Sequence, residues 1–324
     1  MSDKVTKNKT DTDTGPLHRW LIRLIWGFGG ITLAGIIFGG VLLFHINALS
    51  NRNAQSGQAN QVAVYSQAQI DKFITSVLVS IQNQPLGQAD AQADMVFIAS
   101  FNAFEQRLTL VALAGETLLE VEGHGKKSLS EAYSLGGAGL LVNTMNQNFG
   151  LDLQKYVCTD THTLSVIIDL LGGAQAELTQ EEASYIGDAL GLNSTNLAAG
   201  SVTLTGVQSM VHAMDIRSGK KSLGNLDRSL ALINSVVVNL RKNATKEAML
   251  PLLSLVFSSV QTNLDLTTLT DLGYEILKAE EIEYKNLALP AEGSWKSVWG
   301  KENELNVDIP LNGALLRETL YNAQ

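Results

Sequence analysis

The sequence predicts an α/β fold: a single α/β/α-type domain with a mixed central sheet flanked by helices, preceded by one N-terminal transmembrane helix. Three observations carry this. Strand-like apolar runs alternate with segments of helical period over about 250 residues, the pattern of helices covering a sheet. Hydrophobic residues make up 45% of the 324, ample for a packed core. From Leu24 to Phe44 no ionisable residue occurs.

The chain divides on these grounds. Residues 1–19 are polar and without period, and read as a disordered cytoplasmic tail. Residues 20–45 hold the run LIWGFGGITLAGIIFGGVLLF, long enough to cross a hydrocarbon core of roughly 30 Å as a helix. Trp20 and Trp26 sit where interfacial aromatics are favoured. Lys4, Lys7, Lys9, Arg19 and Arg23 precede the run, and only Arg52 follows it before Lys72. The positive-inside rule therefore predicts a single-pass protein of the cell membrane, N-terminus cytoplasmic and remainder extracellular. The length of the run, which ends in LLFHINALSN, favours an uncleaved anchor over a signal peptide. Gly35 and Gly39 form a GxxxG pair, a candidate homodimer face, although glycine is common in membrane helices in any case. Residues 46–71, rich in Asn, Gln, Ser and Ala, read as a stalk.

The domain is expected over 72–324. Phe73–Ile81, Asp94–Phe101 and Arg107–Leu113 read as buried strands, the last two joined by the turn Asn102–Gln106. Gly137–Phe149 places Leu140, Leu141, Met145 and Phe149 at helical spacing and stops at Gly150. Tyr156–Thr159 is a short strand with Cys158, read as a small buried hydrophobe. His162–Leu171 is an apolar helix closed by Gly172–Gly173, and Thr179 with Glu182 makes a capping box opening the next. Arg228–Arg241 and Lys246–Thr262 read as helices, and Asp265 caps Leu266–Lys278.

Composition excludes several functions. One cysteine forbids an intrachain disulfide framework or Cys-rich zinc site. The net charge is -9, and residues 1–23 carry +2, so the outward part carries -11. That is a poor nucleic-acid binder, since phosphate affinity comes mainly from basic side chains. No P-loop, dinucleotide fingerprint, HExxH or GxSxG motif occurs. His162 and His212 have apolar neighbours and read as packed residues, and Gly123-His124-Gly125 as a turn.

The order of segments is more specific. VALAGETLLEVEGHGKKSLSEAY (111–133) is followed by SLGGAGLLVNTMNQNFGLDLQKYVCTDTHTLSVIIDLLGGAQAELTQEEASYI, then by VTLTGVQSMVHAMDIRS and GNLDRSLALINSVVVNL. This resembles the LytR-CpsA-Psr family of bacterial cell-envelope proteins, from about Phe73 to the end, including the late stretch NLALPAEGSWKSVWGKENELNVDIPLNGALLRETLYN. The resemblance implies an anchored, outward domain. It also implies an activity: a glycopolymer moved from an undecaprenyl-pyrophosphate lipid to a peptidoglycan hydroxyl, with basic groups and Mg²⁺ cradling the pyrophosphate and the prenyl chain in an apolar tunnel.

The departures from that family matter. Its Gly-x-Asp-x-Arg stretch falls on Ser80–Gln84. Its Arg-x-Asp-Thr becomes Gln92-Ala93-Asp94-Met95, and Pro-Arg-Asp-Thr becomes Ala114-Gly115-Glu116-Thr117. Its Lys-Ile-Asn-Ala-Ala-Tyr becomes Ser128–Tyr133, with Lys127 one place early. Its late Arg pair becomes Asn225 and Arg228, the following Gln becomes Ser229, and another Arg remains as Arg217. The candidate site is accordingly Glu116, Arg228, Arg217 and Lys127, with Asp94 and Glu116 as Mg²⁺ ligands, since hard cations take carboxylates. Each lost contact between a charged group and phosphate removes about 1.5–3 kcal/mol. Two readings follow. One is an impaired family member that binds a polyprenyl phosphate or pyrophosphate lipid, a wall glycopolymer or a partner. The other is an active Mg²⁺-dependent phosphotransferase with Lys126, Lys127, Arg217, Lys220, Lys221 and Arg228 supplying charge from shifted positions.

Overall fold

The computed structural model describes residues 74–88, 90–192, 197–215, 223–243 and 246–321. The tail, the apolar run with Gly35 and Gly39, the stalk, and Arg217, Lys220 and Lys221 lie outside these residues. Among the described residues no helix is long and apolar enough to cross a membrane.

The central sheet is mixed, as expected. Strand β1 (Ile74–Gln82) lies in its middle, antiparallel to β2 (Ala93–Asn102) and parallel to β6 (Lys155–Asp160). Beyond β2 lie β3 (Arg107–Leu113), antiparallel to it, and β10 (Glu283–Leu289), parallel to β3. On the other edge the two-residue β9 (Gln261–Thr262) runs antiparallel to β6. Three two-stranded sheets stand outside this one: the hairpins β4–β5 (Leu118–Val121, Gly125–Ser128) and β11–β12 (Trp295–Val298, Lys301–Val307), and the antiparallel pair β7–β8 (Ala174–Leu178, Gly200–Leu204).

Alternation along the strands builds two cores. Leu78, Val96, Ile98, Val111 and Leu113 face helices α1 (Leu129–Phe149) and α8 (Ile309–Tyr321), where Leu141, Met145, Phe149, Leu316 and Leu320 are buried. Ile81, Met95, Phe97, Phe101, Leu108, Leu110 and Ala112 face the other layer. That layer comprises α2 (Thr161–Leu170), α4 (Gly206–Ala213) and α5 (Gly224–Asn243), with Leu272 and Ile276 of α7 (Leu266–Lys278) partly buried against it. Helix α3 (Gln180–Ala189) covers β7–β8 around Leu178, Ile186 and Leu204. Helix α6 (Lys246–Ser259) leads into β9.

The capping signals hold: Thr179 and Glu182 form the expected box, and the Asp265 carboxylate accepts the Thr268 N–H. Two expectations change. Helix α1 begins at Leu129, earlier than Gly137, because Ser128 and Glu131 form a capping box; Gly136 and Gly137 interrupt it with non-helical backbone. The helix from Lys246 stops at Ser259 rather than Thr262. The Thr262 hydroxyl donates to Tyr156 O at 2.6 Å and Asn263 bonds both Tyr156 N and Gln154 O, drawing this segment to the sheet edge. The pairs β7–β8 and β11–β12, and β10, α4 and α8, had no counterpart in the sequence reading; of β4–β5 it gave the turn at Gly123–Gly125.

Candidate functional site

A cavity of about 490 Å³ opens at the end of the sheet where β2 begins and β3 finishes. Its walls come from five segments: Gln92 and Asp94–Phe97, Ala112–Glu116, the start of α1 at Ser128, Ser130 and Glu131, the first turn of α5 at Asn225, Leu226 and Ser229, and Glu304 of β12. The floor is apolar, because Met95, Phe97, Ala112 and Leu226 belong to the core between the sheet and α5. The rim is acidic: Asp94, Glu116, Glu131 and Glu304 line it, and among the described residues no Lys or Arg does.

Asp94 stands at the opening of β2, and its Oδ2 accepts the Asn83 N–H at 2.7 Å, tying the end of β1 to the cavity wall. Burial pushes its carboxyl above the usual range, and that one hydrogen bond offsets part of the rise. Glu116 lies in the link from β3 to β4, where its carbonyl accepts the Leu305 N–H at 2.8 Å and so joins β12 to the site. Glu131 accepts from the Ser128 N–H (3.0 Å) and hydroxyl (2.9 Å) as part of the α1 cap. Gly115 permits a close approach: a Cβ here would collide with Ser130 Oγ, whose hydroxyl donates to Ala93 O at 2.8 Å.

The predicted residues separate. Asp94 and Glu116 share the cavity. Lys127 is on β5, its ammonium 3.9 Å from Glu131 and 41% exposed; the pleat turns its neighbour Ser128, not Lys127, to the cavity. Arg228 lines a second cavity of about 240 Å³ with His212, Glu182, Asp227 and Leu232. Its Nε donates to His212 O at 3.0 Å, another guanidinium nitrogen donates to Asp215 O, and Nη1 is 3.6 Å from Glu182. Burial pushes the Glu182 carboxyl up, but the Thr179 N–H and hydroxyl, His212 and Arg228 outweigh it and hold the group below its ordinary value. Burial likewise lowers His212, against the pull of Glu182. Arg217 lies outside the described residues.

Gln92, Gly115, Ser128 and Asn225, the positions where the family resemblance implies Arg, Arg, Lys and Arg, all line the acidic cavity. Asn225 Oδ1 is buried without a hydrogen-bond partner. Glu304 was missed: it comes from a hairpin near the C-terminus, and no local pattern ties it to Asp94.

Cys158 is buried as expected, its thiol pushed up to about 12 by desolvation. It lies on β6, away from the cavity-lining segments.

Comparisons with known proteins agree on the fold. Among curated relatives, a polyisoprenyl-teichoic acid–peptidoglycan teichoic acid transferase TagU of Enterococcus faecalis is 23% identical over 199 residues, 60% of this chain and 60% of that protein. Among solved structures, TagT bound to LIIa-WTA superposes with a TM-score of 0.63 at 16% identity, covering 81% of this chain and 98% of that one. YwtF (TagT) with bound octaprenyl pyrophosphate lipid gives a TM-score of 0.59 at 15% identity, with coverage of 81% and 98%. The model of the LytR_cpsA_psr family matches residues 41–308, from before the described sheet to the last helix, and by that match the chain belongs to the LytR_cpsA_psr family.

Proposed function

We propose that this chain is an envelope protein, held at the cell membrane by its N-terminal helix with the domain outside, that binds a polyprenyl phosphate or pyrophosphate lipid or its glycopolymer and transfers poorly. One observation carries the reading: Gln92, Gly115, Ser128 and Asn225, which the family resemblance aligns with basic groups, all line one cavity. Pyrophosphate transfer needs fixed positive charge where negative charge develops. Here Arg228, the basic residue kept from the late pair, is engaged by two backbone carbonyls and Glu182 across a different cavity. Gly115 adds weight, since the space an Arg side chain would need at its Cβ is taken by Ser130. The apolar floor between sheet and α5 suits a prenyl chain, and YwtF, with the same fold, is known with octaprenyl pyrophosphate bound.

The carboxylates fit Mg²⁺ in part. Asp94 and Glu116 are hard oxygen donors lining the same cavity, and Asp94 lies in a desolvated position that a cation would relieve. Among the described residues no group of three His, Cys, Asp or Glu is placed to hold a metal, so phosphate and water would complete the shell. When bound, Mg²⁺ would screen pyrophosphate from the acidic rim. The presence of both Asp94 and Glu116 in the cavity lining is also what favours the second reading, an active Mg²⁺-dependent phosphotransferase moving a glycopolymer to peptidoglycan.

The test uses the full chain in lipid nanodiscs with octaprenyl pyrophosphate, with and without Mg²⁺, following lipid binding and phosphate release together. Binding without release is expected. Mg²⁺-dependent release that disappears in Asp94→Asn or Glu116→Gln would establish the active transferase instead. Absence of both binding and release would reject the cavity as a lipid site.

A further inference from the structure

The second cavity, of about 240 Å³, shares no lining residue with the first. It lies where β7 meets α5, with α3 and α4 contributing Glu182 and His212. Its floor is apolar: Ala174, Leu204 and Leu232 are buried there. Several of its polar groups are already engaged. Glu182 accepts from Thr179 and pairs with Arg228, the Arg228 donors go to His212 O and Asp215 O, and His212 Nε2 is enclosed 3.4 Å from Glu182. Two lining carboxylates remain, Glu177 and Asp227, both on exposed residues and neither in an ion pair among the described residues.

The edge of β7 adds acceptors. Gln175 donates its N–H to Ser235 Oγ of α5 at 2.9 Å, away from β8. In an antiparallel pair the N–H and C=O of one residue point the same way, and that direction repeats every second residue. The carbonyls of Gln175 and Glu177 therefore belong to the edge that faces α5, and both residues line the cavity. The result is a small apolar pocket whose opening carries carboxylates and strand carbonyls, with its one guanidinium already balanced by Glu182.

We infer that this second cavity is a binding site for a primary alkylammonium. The aliphatic chain packs on Ala174, Leu204 and Leu232, and the ammonium stays at the opening, where Glu177, Asp227 and the strand carbonyls accept its N–H groups. The size agrees: pockets for drug-sized ligands run roughly 300–1,000 Å³, so this smaller one suits a chain of a few carbons. An anion would meet carboxylates in excess of the guanidinium, and a neutral alcohol would gain nothing from their charge. The inference is independent of what the first cavity binds.

The probe is n-butylamine at pH 7.5, titrated into the full chain in nanodiscs and followed by saturation-transfer NMR on the probe, with protein-free nanodiscs as the blank. Saturable millimolar binding is expected, weakening as salt rises. 1-Butanol is expected to bind more weakly and butyrate not at all. Asp227→Asn is expected to weaken butylamine binding about threefold, and its combination with Glu177→Gln about tenfold. Ala231→Leu, which sets a bulkier side chain on an exposed lining position without changing charge, is expected to remove binding. All of these positions are exposed, so thermal midpoints should stay within about 2 °C of the parent. Butanol binding as well as butylamine overturns the ammonium assignment. No butylamine binding by the parent, or binding unchanged in both the double variant and Ala231→Leu, overturns the site.

Discussion

Putting back the missing charge should restore affinity for pyrophosphate, and the cavity indicates where. Gln92→Arg with Asn225→Arg places two guanidinium groups on opposing segments of the rim, at β2 and at α5. Ser128 is a poorer choice because it caps α1, and its loss would cost about 0.5–2 kcal/mol. Gly115 is poorer still, because its Cβ position is occupied by Ser130 Oγ. Each new charge-assisted contact to phosphate is worth about 1.5–3 kcal/mol, or about 3–6 for two. Asp94, Glu116, Glu131 and Glu304 compete for the same guanidinium groups, so the low end applies. About 3 kcal/mol corresponds to roughly 150-fold tighter binding. Titration of the parent and double variant in nanodiscs with octaprenyl pyrophosphate, at low and high salt, measures it; the gain should shrink as salt rises. A gain under about threefold, or a parent already as tight as the variant, would refute the argument that lost basic groups limit this site.

Further outcomes follow from groups outside the rim. Arg228→Gln removes two charge-assisted bonds to carbonyls and the contact with Glu182, and should lower stability by about 3 kcal/mol while changing lipid affinity less than about twofold, read by urea unfolding beside the lipid titration. Burial holds His212 below its ordinary 6.5, with Glu182, Arg228 and Asp215 facing it, so the unfolded chain takes up that proton first. Stability should therefore fall as pH drops from about 6.5, and His212→Asn should flatten this part of the profile in unfolding titrations. Cys158, with a thiol at about 12 and almost no exposure, should resist a thiol reagent at pH 8 in the native state and react only at the rate of unfolding.

Much of the fold was legible because its strands are buried on both faces. β3 reads RLTLVAL and is buried at every position, which local sequence reveals directly. Of the small two-stranded sheets only the turn at Gly123–Gly125 was legible. In β11 and β12 the tertiary setting, not hydrophobic alternation, supplies the strands: WKSV is half exposed, and β12 is held by its bonds to Glu116 and Thr117. The site was half legible. Motif order led to Asp94 and Glu116, which line one cavity. The direction of Arg228 depends on its place on α5, where Asn225, Leu226 and Ser229 face one cavity and Asp227, Arg228 and Leu232 the other. A reading of motif positions alone cannot separate residues that lie one or two places apart on a helix.

The pairing of β10 with β3 bears on how the chain is made. β3 arises in the first half of the sequence, and its outer edge finds its partner only at Glu283–Leu289, close to the C-terminus. During synthesis, seven consecutive buried residues thus wait with one side's N–H and C=O groups open, an adhesive template for any neighbouring nascent chain. A message truncated before Glu283 would leave that side permanently uncapped. Such fragments should collect as aggregates or be degraded rather than persist as smaller soluble domains, and the last strand of the sheet acts as a seal on the product's completeness.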